Sequence, residues 1–392
     1  MALDHLRVLD LTTLLPGPLA TSILADFGAE VIKIESPLRP DLMRRLPPLV
    51  GDAKARDRLS AVFYSINRNK KSLTLNLKSD EGKEIFMKLV RSADVLVEQF
   101  RPGVMARLGL PYEALKDINP SLIYCAITGY GQDGPYSQMV GHDINYIGVS
   151  GMASLTGTDE PVLQGAQVAD IGAGSMNAVT AILLALIARE KTFKGQYIDI
   201  SMMDGTIPWL QIPLLSYLTS GEKQHRGETH VSGGVASYNL YKCKDGKYIT
   251  IGALEPKFYT NLCKALNRRD LKRYYMNLKK QEHVKQEFQQ VFLTKDRDEW
   301  WEELRAQEVC VAPMNEIWEV EDDPQVKFRK MIIETETDEG LIKQLGIPIR
   351  LSETPGTLRT VAPKLGEHSE EILQNLGYSS DTIETYRKEK II

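Results

Sequence analysis

Residues Leu6–Glu35 read LRVLDLTTLLPGPLATSILADFGAEVIKIE, and their pattern decides the fold. Leu6–Leu11 is a short apolar run and reads as a strand. Thr12–Pro18 reads as a loop, Pro18–Phe27 as a helix and Ala29–Glu35 as a second strand. A strand, a helix and a strand within about 30 residues make a βαβ unit, whose strands must be parallel.

The alternation continues outward from that unit. Ser72–Leu77 reads as a strand, Ser79–Val90 as a helix capped by Ser79, Asp94–Glu98 as a strand, Gly103–Leu108 as a helical turn and Leu122–Thr128 as a strand. The expected fold class is α/β, a doubly wound parallel sheet of Rossmann type, with a smaller α+β domain. After Glu190 the texture changes: KTFKGQYIDISMMDG carries one strand, and a proline-containing apolar stretch follows it. Residues 219–234 are polar and glycine-rich, and residues 238–252 read as a β-hairpin turning at Asp245–Gly246. Asp296 and Glu299 form a capping pair before WWEELR, and KQLGIPIRL in the tail reads as short strands before a late helix. The expected division is a large domain of residues 1–190 plus 326–392, a linker at 191–230 and a small domain at 231–325.

Composition excludes several classes. The chain has 392 residues, enough for two or three domains. Hydrophobic residues are 43% and charged residues 26%, so neither disorder nor a coiled coil is its main state. Lys and Arg number 48 against 52 acids, so no global basicity points to nucleic acid. Cys125, Cys243, Cys263 and Cys310 lack the paired short spacing of a structural zinc site or a disulfide framework, and no metal is expected. Ala178–Ala188, interrupted by Thr180, is too short to span a bilayer and reads as a buried helix, so no membrane partner is expected. The N-terminal residues hold no long apolar run, and the expected location is the cytoplasm or an organelle matrix.

Two stretches bear on phosphate binding. Gly129–Gly134 matches G-x-G-x-x-G after a strand, but Pro135 follows and Asp133 would repel phosphate, so it reads as a glycine-rich turn. Residues 39–71 hold nine basic side chains (Arg39, Arg44, Arg45, Lys54, Arg56, Arg58, Arg68, Lys70, Lys71) against Asp41, Asp52 and Asp57. That excess in an acidic chain is either a solvated face or a surface for a polyanionic small ligand.

Taken with RVLDLTTLLPGPLATSILADFGAEVIKIE, the blocks NRNKKSLTLNLKSDEG, VLVEQFRPGVMARLGL, ITGYGQDGP, GHDINYIGVSGMASLTG, VADIGAGSMNAVTAILLAL, GQYIDISMMDG and ALEPKFY run in one order along the chain. In these blocks the chain resembles the class III CoA-transferase superfamily, which also contains α-methylacyl-CoA racemase. The resemblance implies an interlocked homodimer and an acyl-CoA substrate, with CoA as part of the substrate and no separate cofactor. Within the superfamily, Gly141–Tyr146 (GHDINY), Gly233–Gly234 before Tyr238, and Glu255–Pro256 are similar to the racemases. Transferases similar to formyl-CoA transferase typically have tyrosine where this chain has His142.

The resemblance implies roles for named residues. Asp170 is the acyl-accepting nucleophile in transferases and a proton carrier in racemases. Inverting a carbon next to a thioester calls for two acid/base groups on opposite faces, and His142 and Asp170 are the candidates. Glu255 is expected to pair with His142, from the partner chain, and the Asp143 N–H to serve as donor to the enolate oxygen. Arg107 and Phe100 are the first candidates for CoA phosphate and adenine, with Arg101, Arg39, Arg68 and Lys71 beside them. The expected reaction is racemisation of a 2-methylacyl-CoA, with CoA transfer through Asp170 as the alternative. On their local sequence alone, His142 also reads as a structural histidine, Asp170 as a helix N-cap and Glu255 as a first-turn acid. Tyr130, Tyr146 and Tyr238 read either as lining of an acyl pocket or as core packing.

Overall fold

The computed structural model describes residues 1–51, 58–338 and 340–392. Strand β1 (Arg7–Asp10) leads into helix α1 (Pro16–Asp26), which returns the chain to β2 (Glu30–Glu35), parallel to β1 with Val8 opposite Val31. The helix starts two residues earlier than its sequence suggests. Pro16 stands at the first helical position, where its missing N–H leaves no bond unmade. Helix α2 (Ala61–Asn67), β3 (Lys70–Thr74), α3 (Asp80–Val90), β4 (Val95–Glu98), α4 (Val104–Arg107), α5 (Tyr112–Ile118) and β5 (Ile123–Thr128) follow. Ser79 caps α3, its Oγ accepting from Gly82 N at 3.1 Å. Next come α6 (Asp143–Val149), a π-helix over Ala169–Met176 that runs straight into α7 (Asn177–Thr192), then β6 (Tyr197–Ser201) and α8 (Met202–Thr206).

The six strands form one parallel sheet in the order β3-β2-β1-β4-β5-β6. All six residues of β5 are buried, as expected of a strand covered on both faces. In such a sheet the loops leaving the strands' carboxyl ends form the ligand-binding edge, above all where the order reverses, here between β1 and β4.

The chain divides into two compact units, Met1–Ser150 with Gly165–Trp209 and Gln325–Ile392, and Gly151–Gln164 with Leu210–Pro324. The expected linker at 191–230 is therefore corrected. Tyr197–Ser201 is the sixth strand of the main sheet, where Tyr124 of β5 pairs with Tyr197, and residues 211–220 form helix α9 (Gln211–Ser220). The second unit also reaches back to residues 151–164, which no composition shift marks.

In the second unit, β7 (Tyr238–Lys242) and β8 (Tyr248–Gly252) form the expected hairpin, with Gly246 at φ +84° in its turn. Helices α10 (Pro256–Ala265), α11 (Gln281–Phe292) and α12 (Arg297–Leu304) and strand β9 (Val311–Pro313) complete it, and Asp296 N donates to Glu299 Oε2 at 2.9 Å at the start of α12. Its core is aromatic: Tyr241 stacks on Phe292 at 4.9 Å, and Trp300 meets Phe292 edge-on at 5.3 Å.

The tail returns to the first unit. Its hairpin is β10 (Ile332–Thr337) with β11 (Gly340–Leu345), so of KQLGIPIRL only the first three residues are strand. The loop before α13 (Ser369–Asn375) covers the open edge of β3, with Asn69 N bonded to Thr360 O and His368 N to Ser72 O. Helix α14 (Ser380–Lys388) follows. The helix read as buried in Ala178–Ala188 is real, but only one face packs. Ala178, Ile182 and Ala185 are buried, whereas Leu184 is 62% and Ile187 56% exposed. Among the described residues, Ala169–Thr192 is the one helical run long and apolar enough to cross a membrane.

Candidate active site

The polar chemistry begins under the first turn of the sheet. Lys33 and Lys70 are fully buried amines; Lys33 Nζ lies 3.0 Å from Asp41 Oδ2 and donates to Thr12 O at 2.8 Å, and Lys70 Nζ lies 3.0 Å from Asp10 Oδ2. Burial pushes the Asp10 carboxyl up, but the Lys70 and Lys33 charges outweigh it and hold Asp10 well below the usual carboxylate range. Around this network the loop 12–17 is held at each step. Asp10 Oδ1 accepts from Thr12 N, Asp41 Oδ1 from Leu14 N and Gln99 Oε1 from Gly17 N. Pro16 O, at the end of that loop, accepts from Ser175 Oγ at 2.7 Å in the π-helix.

That π-helix carries Asp170. Sequence alone offers Asp170 as an N-cap; it stands instead inside the first turn. The turn is capped from elsewhere, because Asp143 Oδ1 accepts from Ala169 N at 2.7 Å and from Asp170 N at 3.0 Å. Gly172 lets the Trp209 indole lie against the helix; a Cβ there would come within 2.1 Å of the ring. Asp170 is half-buried. Burial first, and then the Asp143 charge, push its carboxyl up to about 6, against a smaller opposing pull from His142.

His142 precedes α6 as its N-cap, exposed, with its N–H donating to Asn145 Oδ1 at 3.0 Å. Among the described residues the Asp143 N–H has no acceptor within the chain. Behind them Tyr146 donates to Gly141 O at 2.6 Å and packs edge-on to Tyr130 at 5.1 Å. Burial and the Asp170 charge push the Tyr146 phenol up to about 12. Tyr130 and Tyr146 are buried and packed on each other. Gly129 must stay a glycine, since a Cβ would fall 2.4 Å from the Tyr146 ring. The turn at Gly129–Gly134 opens no helix, as read from its sequence.

The strand order brings these groups to one edge. His142 follows β5, and α7, returning from β5 to β6, begins at the carboxyl end of the sheet, so Asp170 stands there too. Phe100 and Arg101 lie just beyond β4, Arg107 ends α4, and Arg39 follows β2. Arg39, Arg101 and Arg107 are exposed and Phe100 is half-buried.

Arg68 and Lys71 are a correction to the sequence reading. Both stand at the amino end of β3, at the opposite edge of the sheet. Arg68 is buried, with Nε 3.0 Å from Asp26 Oδ1 and Nη2 2.7 Å from Asp26 Oδ2, while Lys71 bridges Glu30 and Glu371. Arg44 is likewise bonded to Glu35 and Lys70 to Asp10. Much of the basic excess at 39–71 is thus the positive half of internal ion pairs. Lys54, Arg56, Asp52 and Asp57 lie outside the described residues.

Glu255 is in the second unit, exposed, as the N-cap before Pro256 of α10. Tyr238 is also there and 38% exposed. Among the described residues no group of three His, Cys, Asp or Glu side chains gathers to hold a metal ion.

Sequence reasoning passed over Glu98. Its carboxylate is buried at the end of β4, accepts from Phe100 N at 2.6 Å and Tyr124 Oη at 3.3 Å, and is pushed up to about 7 by burial. The signal was present: an acid closing the apolar run VLVE.

The family model described as CoA-transferase family III matches residues 3–369. The chain belongs to that family. It is 33% identical over 401 residues to the α-methylacyl-CoA racemase of Homo sapiens, covering 100% of this chain and 98% of that one. It is 36% identical over 386 residues to the succinate–glutarate CoA-transferase of Agrobacterium fabrum, covering 95% of each. Among solved structures, a CaiB/BaiF family protein from Brucella suis superposes with a TM-score of 0.83 at 34% identity, covering 95% of this chain and 98% of that one. Racemases and transferases thus stand at similar distance, and the family makes this chain an enzyme of acyl-CoA chemistry.

Proposed function

We propose that this protein racemises the α-carbon of a 2-methylacyl-CoA thioester. The observation that carries the reading is that His142 and Asp170 stand at the same edge of the sheet, with the Asp170 carboxyl pushed up by burial to about 6, where it can take or give a proton near neutral pH. One of them takes the α-proton, leaving an enolate, and the other returns a proton to the opposite face of the carbon. The net change is inversion, with no bond made to the enzyme. The Asp143 N–H donates to the enolate oxygen. Arg39, Arg101 and Arg107 meet the CoA phosphates and Phe100 the adenine. Glu255 orients His142 from the partner chain of an interlocked dimer. The exposed apolar side chains Leu184 and Ile187 of α7, and Ile212 and Leu218 of α9, suit such a covered interface.

A carboxyl held near 6 exchanges its proton close to neutral pH, as a proton carrier must, and is also largely ionised at pH 7, as a nucleophile must be. The transferase reading keeps Asp170 as that nucleophile, and the identity to the Agrobacterium fabrum transferase favours it. NMR of (R)- and (S)-2-methylacyl-CoA in heavy water separates the two. The expected result is α-proton exchange by the wild type with no carboxylic acid added. H142A and D170N should each lose racemisation and retain wash-in from opposite enantiomers. A wild type that leaves the α-proton untouched but moves CoA to an added carboxylic acid would establish the transferase instead.

A further inference from the structure

The first N–H groups of a helix have no partner within it. In the helix that carries Asp170, two of them are met by one side chain, because Asp143 Oδ1 accepts from Ala169 N and from Asp170 N. Asp143 is the first residue of α6, next to His142. One carboxylate therefore ties the Asp170 backbone to the element bearing His142, and also sets a negative charge beside the Asp170 carboxyl. We propose that the Asp143 side chain is the positioning residue of this site, fixing the two proton carriers relative to each other and holding a proton on Asp170 by repulsion. This deepens the proton-carrier reading and rests on it, while the titration that tests the charge role does not depend on the reaction.

A cap requires only an acceptor, and asparagine or serine supplies one as well as aspartate. Placing a carboxylate against another carboxylate costs stability that a neutral cap would avoid. The charge at position 143 therefore has an effect that capping does not explain, and the Asp170 carboxyl is where it acts. The other charged groups on the packed elements are engaged or remote. Asp26 of α1 is bonded to Arg68, Asp199 of β6 accepts from Gln132 N, and Arg189 of α7 pairs with Asp94. Asp204 of α8 adds its charge near Asp199. From α6, His142 opposes the Asp143 effect, and Tyr146 responds to both carboxylates.

The experiment is a carbon-13 NMR titration of protein labelled at the aspartate carboxyl carbons, with the Asp170 signal assigned by its loss in D170N. The wild-type midpoint should lie near pH 6. In D143N, which keeps the acceptor and drops the charge, it should move down by about one pH unit. D143S supplies a second neutral acceptor if D143N does not fold. The pH limb of turnover assigned to Asp170 should move the same way in D143N. D143A, which loses the acceptor too, should lower kcat by about ten- to a hundredfold with little change in KM. An unmoved midpoint in the neutral variants overturns the charge role, and a D143A as active as D143N overturns the positioning role. A wild type without α-proton exchange sinks the racemase reading alone, since the titration still decides the charge role of Asp143.

Discussion

Replacing Arg68 by alanine separates two roles that its sequence setting leaves joined. Arg68 and Asp26 are 5% and 4% exposed, and their carboxylate–guanidinium contacts are 3.0 and 2.7 Å. Removing one partner of a buried pair costs about 3–5 kcal/mol, because the other charge is left buried. Here Asn69 Nδ2 still donates to Asp26 Oδ1 at 2.8 Å, so the lower end applies. A loss of about 3 kcal/mol corresponds to roughly 4 °C in Tm for a chain of this length. Below that transition, CoA affinity should match the wild type. The double variant D26L/R68M, which removes both charges, should recover most of the lost stability. Arg107, exposed at the end of α4, should behave in the opposite way. R107A should keep its Tm and weaken CoA binding by about tenfold at low salt, with a shallower salt dependence. Scanning calorimetry and isothermal titration with CoA at two ionic strengths read both quantities. An R68A protein that melts like the wild type but binds CoA more weakly would refute the assignment of Arg68 to the fold.

Two further outcomes follow. Glu98 has its carboxyl raised from 4.5 to about 7 in the folded chain, so the folded state holds the extra proton; that stability is full below about pH 4.5 and lost as the pH rises through 7. E98Q should therefore lose a pH-dependent difference of about 3 kcal/mol between pH 5 and 8 in urea unfolding, and an unchanged slope would show that Glu98 titrates normally. If Glu255 acts across an interlocked dimer, mixing inactive H142A and E255Q proteins through unfolding and refolding should restore activity in heterodimers; a fully active monomer by light scattering would contradict this.

The local sequence determined most elements of the parallel sheet, and the βαβ rhythm determined their class. Ser79 caps α3, Asp245–Gly246 turns the hairpin and Asp296 pairs with Glu299 because each depends on neighbours within a few residues. The family blocks likewise put His142 and Asp170 forward from the chain alone. Tertiary structure decided what long-range partners do to those groups. Whether Arg68 meets a ligand or a carboxylate depends on Asp26, 42 residues away, and a tally of charges is blind to that pairing. The same holds for Asp170. Its sequence reads as a cap, yet it is itself capped by Asp143, 27 residues earlier, and only the folded chain sets that second carboxylate against it and raises its proton affinity. Strand identity follows from short apolar runs, but which sheet edge a side chain reaches follows from strand order. That order places Arg107 with His142 and Asp170, and leaves Lys71 at the other end, bonded to Glu30 and Glu371.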